Sequence, residues 1–454
     1  MYNKIFEWID PQVQNPAYIF ALLKQGTNDI LLESTRVGKN GRFSYIALDP
    51  HTIVKSKGKD VWVNETLQQA DPLSILETTL RRPSVRPEGF PLFYDGAIGY
   101  LGYNLKNSIV PRLKTNAHDD AHFWDMYMAF PRVIIGFDNE EKKIFLTAEE
   151  SSNREIARLE SILRGEDLTI QKEVSKRKNL KRIDTNVSLE QYGKIFERAK
   201  EYILSGDTYQ IKISIRHEFE LKEDPFLTYL RLRKTNPAPY AAYLDLEDVV
   251  LVSCSPEELI RLEGRVAQTR PIGGTYPRGK NPEEDDEIAL NFYRDEKEVA
   301  EHSMLIDLER NDLGRVCVPG SVRIAEKMAL EKYANLMHIV TTIQGNLDQD
   351  KTSFDLLRSM FPGGTVTGCP KIRTMEIIDE LEPVSRGPYT GSIGFITPSD
   401  EMQFNIIIRT LAINKKSNRG YIQVGGGIVV DSNAEYEYQE NLRKGKAIVD
   451  TILS

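Results

Sequence analysis

The sequence predicts an α+β fold in which long antiparallel-style strands carry the molecule and isolated helices pack around them. Three stretches predict it. TYQIKISIRHEF (208–219) alternates with period two, Tyr209, Ile211, Ile213 and Ile215 against Gln210, Lys212, Ser214 and Arg216, as a strand with one polar face does. RVIIGFD (132–138) and KKIFLTA (142–148), with Asn139-Glu140 between them, read as a hairpin. Near the end, MQFNIIIRTLAI (402–413) and YIQVGGGIVV read as further strands, interleaved with single helices rather than with a repeated helix unit.

Taken in order, residues 1–165 form a mixed region. LLESTR, GRFSYIAL and TIVKSKGKDVWV read as strands and PLSILETTLRR as a helix. PLFYDGAIGYLGYNL (91–105) has the glycine and aromatic content of a strand bent at a close backbone contact. REIARLESILRG (154–165) is a helix that Gly165 ends. The polar stretch 166–187, with its basic run KEVSKRKNLKR, reads as a solvated linker, and 188–454 as the larger part. That part opens with a helix at Ser188, which has capping-box spacing to Gln191 and an apolar stripe of Tyr192, Ile195, Phe196, Ala199 and Ile203. Strands AAYLDL and VVLVSCS follow, then a helix from Asp295 and a terminal helix over 433–453.

Composition excludes several classes. A net charge of −8 argues against non-specific nucleic-acid binding, which depends on clustered lysine and arginine. Cys254, Cys317 and Cys369 stand far apart without metal-ligand spacing, so neither a disulfide framework nor a zinc site is indicated. No stretch has the length of a membrane span and the start has no apolar core of signal-peptide length, so a cytoplasmic protein is expected.

Residues 361–396, FPGGTVTGCPKIRTMEIIDELEPVSRGPYTGSIGFI, combine a glycine turn, a helix start and a second tight turn. Gly363 and Gly364 admit close backbone approach, Thr365 and Thr367 add hydroxyls, Lys371 adds a cation, and a helix N-terminus favours an anion. An ordinary loop-to-helix junction would use the same residues. Elsewhere, Glu298 and Glu301 lie three apart on one helix, and Glu437 and Glu440 on another with Lys444 one turn further, which is either a solvated face or a set of hard oxygen ligands.

Together with IDLERND (306–312), SPEEL (255–259), TRPIGGT (269–275), GGGIV (425–429) and LLES (31–34), this run resembles the signature of the chorismate-utilising enzymes over nearly the whole chain. The resemblance implies two packed, largely antiparallel sheets flanked by helices, with the N-terminal part interlocked with the larger one. It implies that Glu298, Glu301, Glu437 and Glu440 hold Mg²⁺ against the ring carboxylate of chorismate. By the same resemblance Glu257 is the general acid that protonates the leaving 4-hydroxyl, and His338 contacts the ring. Tyr389 and Arg409 bind the enolpyruvyl carboxylate, with Thr365, Gly425 and Gly426 along the ligand. Each has a plainer reading, a helix start for Glu257 and a core histidine for His338.

Family members that add water carry a lysine base where this chain has Gln210, which points to ammonia as nucleophile and to the aminating branch. The chain shows no glutamine-hydrolysing nucleophile elbow, so a separate amidotransferase partner is expected to supply ammonia. NPAPYAAYL (236–244), with Ala241 in place of a methionine, resembles the aminodeoxychorismate synthases. Gly273 points the other way. Many of those enzymes carry there a lysine that attacks C2, whereas anthranilate synthases keep a small residue. Aminodeoxyisochorismate formation and a regulatory subunit with an inactive pocket complete the alternatives. Lys212 shares a face with Gln210, roughly 7 Å along the strand. It either contributes a cation or nucleophile to the pocket, or pairs with an acid such as Glu257, or reaches solvent.

Overall fold

The computed structural model describes every residue except 1–3, 10, 12, 36–40, 114, 167–182, 222, 333–335 and 454. The basic run of the expected linker lies outside the described residues. The named strand pairs are all antiparallel, and hydrogen bonds join the strands into one continuous network. Its seam is the pair Phe43–Lys57 and Met126–Asp138, two long strands rich in β-branched and aromatic residues. From Phe43–Lys57 one arm runs through Asp29–Glu33, Tyr240–Asp245, Val249–Ser255, Thr410–Asn414 and Arg419–Ile428 to Gln210–Glu220. From Met126–Asp138 the other runs through Ala97–Leu101, Ser392–Ile396, Met402–Asn405, Glu258–Glu263 and Val266–Arg270 to Leu336–Asn346.

The two arms lie face to face. Ala242 and Leu251 of the first share one buried cluster with Tyr100 and Phe395 of the second. The outer face of the first arm packs Ile213 and Val252 against helical Phe20, Phe196 and Ile377. The outer face of the second packs Ile260 and Phe404 against Leu76, Ile306 and Leu357. The expected pair of packed sheets is therefore one network folded on itself between two helical layers, and the pairs Asp29–Glu33 with Tyr240–Asp245 and Ala97–Leu101 with Ser392–Ile396 interlock the N-terminal part with the rest. Among the described residues, no helix is long and apolar enough to cross a membrane.

Local chemistry fixes the helices. Ser188 and Gln191 form the reciprocal capping box their spacing suggests. Asp295 accepts from the backbone N–H groups of Lys297 and Glu298 and so starts Glu296–Gly314. Helices Pro16–Leu23, Pro225–Thr235 and Pro282–Arg294, absent from the sequence reading, each begin with an Asn or Asp cap followed by proline.

Two corrections concern strands. Tyr209 precedes the strand Gln210–Glu220 and is exposed, so the apolar face is carried by Ile211, Ile213 and Ile215. MQFNIIIRTLAI is not one strand. It divides into Met402–Asn405 and Thr410–Asn414, which belong to different arms, and Arg409 between them takes a left-handed φ of 52°. The chain makes the same step between Val249–Ser255 and Glu258–Glu263, at Glu257. The two crossings are laced together, the Ser255 hydroxyl donating to the Ile406 carbonyl at 2.6 Å and the Ile406 N–H to the Glu257 carbonyl at 3.0 Å.

Candidate active site

The arm-to-arm crossings bring Glu257 within the electrostatic reach of Arg409 and of Lys212 on the strand Gln210–Glu220. Lys212 pairs with Gly427 and Ser214 with Gly425 across those strands. A Cβ at Gly427 would lie 2.8 Å from Gln210 Nε2 and 3.0 Å from Lys212 Nζ, so both side chains rest on a strand that only glycine keeps flat. At Gly425 the same Cβ would meet the Tyr389 hydroxyl at 2.7 Å, and at Gly426 it would meet Glu437 Oε2 at 3.2 Å. The glycine triplet thus seats residues from three elements. Gln210 is buried, and among the described residues its side-chain amide oxygen has no hydrogen-bond partner.

Glu257 is 5% exposed, and burial pushes its carboxyl up to about 7 despite the Thr365 hydroxyl, the Ile272 N–H and the cations Lys212 and Arg409 around it. A carboxyl that is half protonated near neutrality is what general acid catalysis requires. His338 is buried, with Nδ1 3.4 Å from the Gly274 carbonyl.

Two helices bring the four glutamates into one field. Glu298 is raised by burial and then by Glu301, Asp295 and Glu440. Glu437 is raised by burial and by Glu440, although the Ser432 hydroxyl donates to it at 2.8 Å. Burial would also raise Glu440, but the Lys444 ammonium 2.5 Å away outweighs it and holds this carboxyl below its ordinary value. The described residues form no closed cluster of three or more metal-type donors. Glu298 and Glu437 thus stand among like charges that raise their proton affinity, and a hard divalent cation with several waters of its own fits that donor chemistry.

Two expected substrate contacts are used internally. The Lys371 ammonium is ion-paired with buried Asp312 and donates to the Met360 carbonyl at 3.0 Å, so the anion at this helix start belongs to the protein. The Thr367 hydroxyl donates to the carbonyl of Gly363 at 3.0 Å, closing its own turn. Thr365 differs. Its buried hydroxyl stands beside Glu257.

Four residues absent from the sequence reading organise the site. Arg386, 4% exposed, binds both Glu382 oxygens and donates to the carbonyls of Lys212 at 2.7 Å and Val366 at 3.0 Å, clamping strand and glycine turn together. Glu382 in turn accepts from the backbone and hydroxyl of Ser214, both at 2.8 Å. The i,i+4 spacing of Glu382 and Arg386 was a signal for this pair. Glu309 accepts from Gly364 N–H at 3.3 Å beneath the same turn. His302 stands over Gly273, where an added Cβ would lie 2.4 Å from its Cγ. The ring is fully buried, its Nε2 is 2.7 Å from the Thr341 hydroxyl, and burial lowers it to about 4, so it is neutral.

That contact gives a direct expectation. Gly273→Ala should destabilise the fold by about 1–3 kcal/mol, as overpacking a buried site does, and the double variant with His302→Ala should recover much of it. Thermal melts check this. A single variant that melts with the wild type would show that the ring yields freely.

Away from the carboxylates, a second cavity of about 820 Å³ is lined by residues that include Leu32, Glu33, Tyr240, Ala241 and Asn405. The LLES segment therefore lines a space separate from Glu257 and the glutamate quartet. Glu33 is neutralised there by Arg233 and the Tyr229 hydroxyl.

A folded antiparallel network with a buried acid at a strand crossing and a glutamate quartet on two helices describes one enzyme class. The chain belongs to the chorismate binding enzyme family, matched over residues 27–450. It is 40% identical to anthranilate synthase component 1 of Thermus thermophilus, over 99% of this chain and 97% of that one. It is 38% identical to aminodeoxychorismate synthase component 1 of Bacillus subtilis, over 94% and 92%. Among solved structures, anthranilate synthase component I from Streptococcus pneumoniae superposes with a TM-score of 0.80 at 30% identity, covering 97% of this chain and 98% of that one.

Proposed function

We propose that this chain aminates chorismate, Mg²⁺-dependently, with ammonia from a glutamine amidotransferase partner, and releases 4-amino-4-deoxychorismate. The observation that carries the choice of nucleophile is Gln210. Among the described residues its buried side-chain amide oxygen has no partner and can accept an N–H of ammonia, while an amide has no basicity with which to deprotonate water. In the reaction ammonia forms a new C–N bond, the C–O bond to the 4-hydroxyl breaks, and Glu257, protonated near neutrality, donates the proton with which that oxygen leaves as water. Arg409 and Tyr389 hold the enolpyruvyl carboxylate, and Arg386 keeps Tyr389 and the backbone of Lys212 in place, its guanidinium 5.6 Å from the Tyr389 ring. Glu298, Glu301, Glu437 and Glu440 are the residues that would hold Mg²⁺, which when bound neutralises the ring carboxylate.

A second reading, anthranilate formation, is favoured by one feature. Gly273 has no side chain and neutral His302 packs over it, so position 273 supplies no amine to attack C2 in place of ammonia. Ala241, at the wall of the separate cavity, supports the first reading through its resemblance to the aminodeoxychorismate synthases.

The ammonia route has its own test. The purified chain should turn over chorismate with ammonium salts, faster as free NH₃ is raised at fixed pH, and should use glutamine only when the amidotransferase subunit is added. Glutamine-dependent turnover by the single chain would contradict the proposal.

A further inference from the structure

Among the described residues the Lys212 ammonium has no hydrogen-bond or ion-pair partner, although the side chain is only partly exposed and lies over Gly427 beside the Gln210 amide. Charged neighbours face it from every side of the cleft: Glu257 from the arm crossing, Glu301 from the helix Glu296–Gly314, and Glu440 and Lys444 from the helix Ala434–Leu453. None is its partner. Glu440 is engaged by Lys444 at 2.5 Å, and Lys444 also approaches the Gly425 carbonyl at 3.4 Å. The Glu257 carboxyl takes the Ile272 N–H and stands by Thr365. A partly desolvated ammonium without a partner is costly, and a fold retains one where a ligand completes it.

We infer that Lys212 is a substrate-anchoring cation that binds the ring carboxylate of the substrate directly, without help from a metal ion. The inference rests on the chorismate reading above and adds a contact that reading does not contain. Its surroundings support it. The amine feels the charges of Glu257, Glu301 and Glu440 together, whereas the other substrate carboxylate is assigned to Arg409 and Tyr389. A dianionic ligand entering five glutamates meets repulsion that one unpaired ammonium offsets at the point of closest approach.

The test is equilibrium binding of chorismate to the full chain by calorimetry, in buffer with EDTA and without ammonium, for wild type, Lys212→Met and Lys212→Arg. Lys212→Met should weaken binding by about tenfold or more, since a charge-assisted hydrogen bond is lost, and Lys212→Arg should restore part of it. Thermal melting supplies the second readout. Because the fold does not use the amine, Lys212→Met should melt no lower than wild type. Equal affinity of wild type and Lys212→Met, or a methionine variant that melts markedly lower, would overturn the inference. Wild type that binds chorismate only when Mg²⁺ is added would also overturn it. Failure of wild type to bind chorismate even with Mg²⁺ would instead refute the chorismate reading itself, so the two failures are distinguishable.

Discussion

Glu257→Gln is expected to lower kcat by about 10²- to 10⁴-fold with little change in the KM for chorismate, the loss that follows removal of a general acid. Glutamine keeps the size of the side chain and an oxygen for the Ile272 N–H, so the fold should persist. The expected pH dependence has a definite sign. Burial raises the carboxyl to about 7, so the protonated, active form dominates below that pH. At fixed free ammonia, wild-type kcat should therefore fall as pH rises through 7, and this limb should vanish in the Gln variant. Residual turnover within about tenfold of wild type would show that another group supplies the proton. The cause of the raised value lies in the topology. Glu257 sits where the chain steps from one sheet arm to the other, inside the angle closed by Ser255 and Ile406.

Glu301→Gln and Glu440→Gln should each abolish turnover while leaving the protein folded, because each removes a charge the substrate-bound cation requires. The two variants should differ in stability. Glu301 raises Glu298 by repulsion, so its neutralisation relieves the metal-free protein, and the melting temperature should hold or rise. Glu440→Gln instead strands Lys444, which is 45% exposed and can turn to solvent, so its cost should be small. Kinetics at limiting Mg²⁺ and thermal melts check both. Near-normal activity of either variant at limiting Mg²⁺ would remove that residue from the metal site.

Much of this arrangement was legible in the sequence where a local rule suffices. Period two along 210–220, the capping box at Ser188 and the i,i+3 glutamate pairs each depend on a few neighbouring residues, and each stands in the structure as its spacing suggests. The Asn15-Pro16, Asp224-Pro225 and Asn281-Pro282 starts were equally local and passed unread. What local spacing does not carry is the partner at long separation. Lys371 reads as a free cation at a helix start, yet Asp312 closes it from another helix. The apolar run 402–413 reads as one strand, yet its two halves pair with different arms because Arg409 turns the chain between them. Gly273 reads as open space, and only packing shows His302 standing in it.

The central claim, amination of chorismate to 4-amino-4-deoxychorismate, is tested most directly by analysing the product formed from chorismate, Mg²⁺ and ammonium. The incubation is run with and without a lyase that converts aminodeoxychorismate to 4-aminobenzoate. The account predicts a non-fluorescent product that yields 4-aminobenzoate only when the lyase is added. Fluorescent anthranilate appearing without the lyase would contradict it and assign the chain to the second reading.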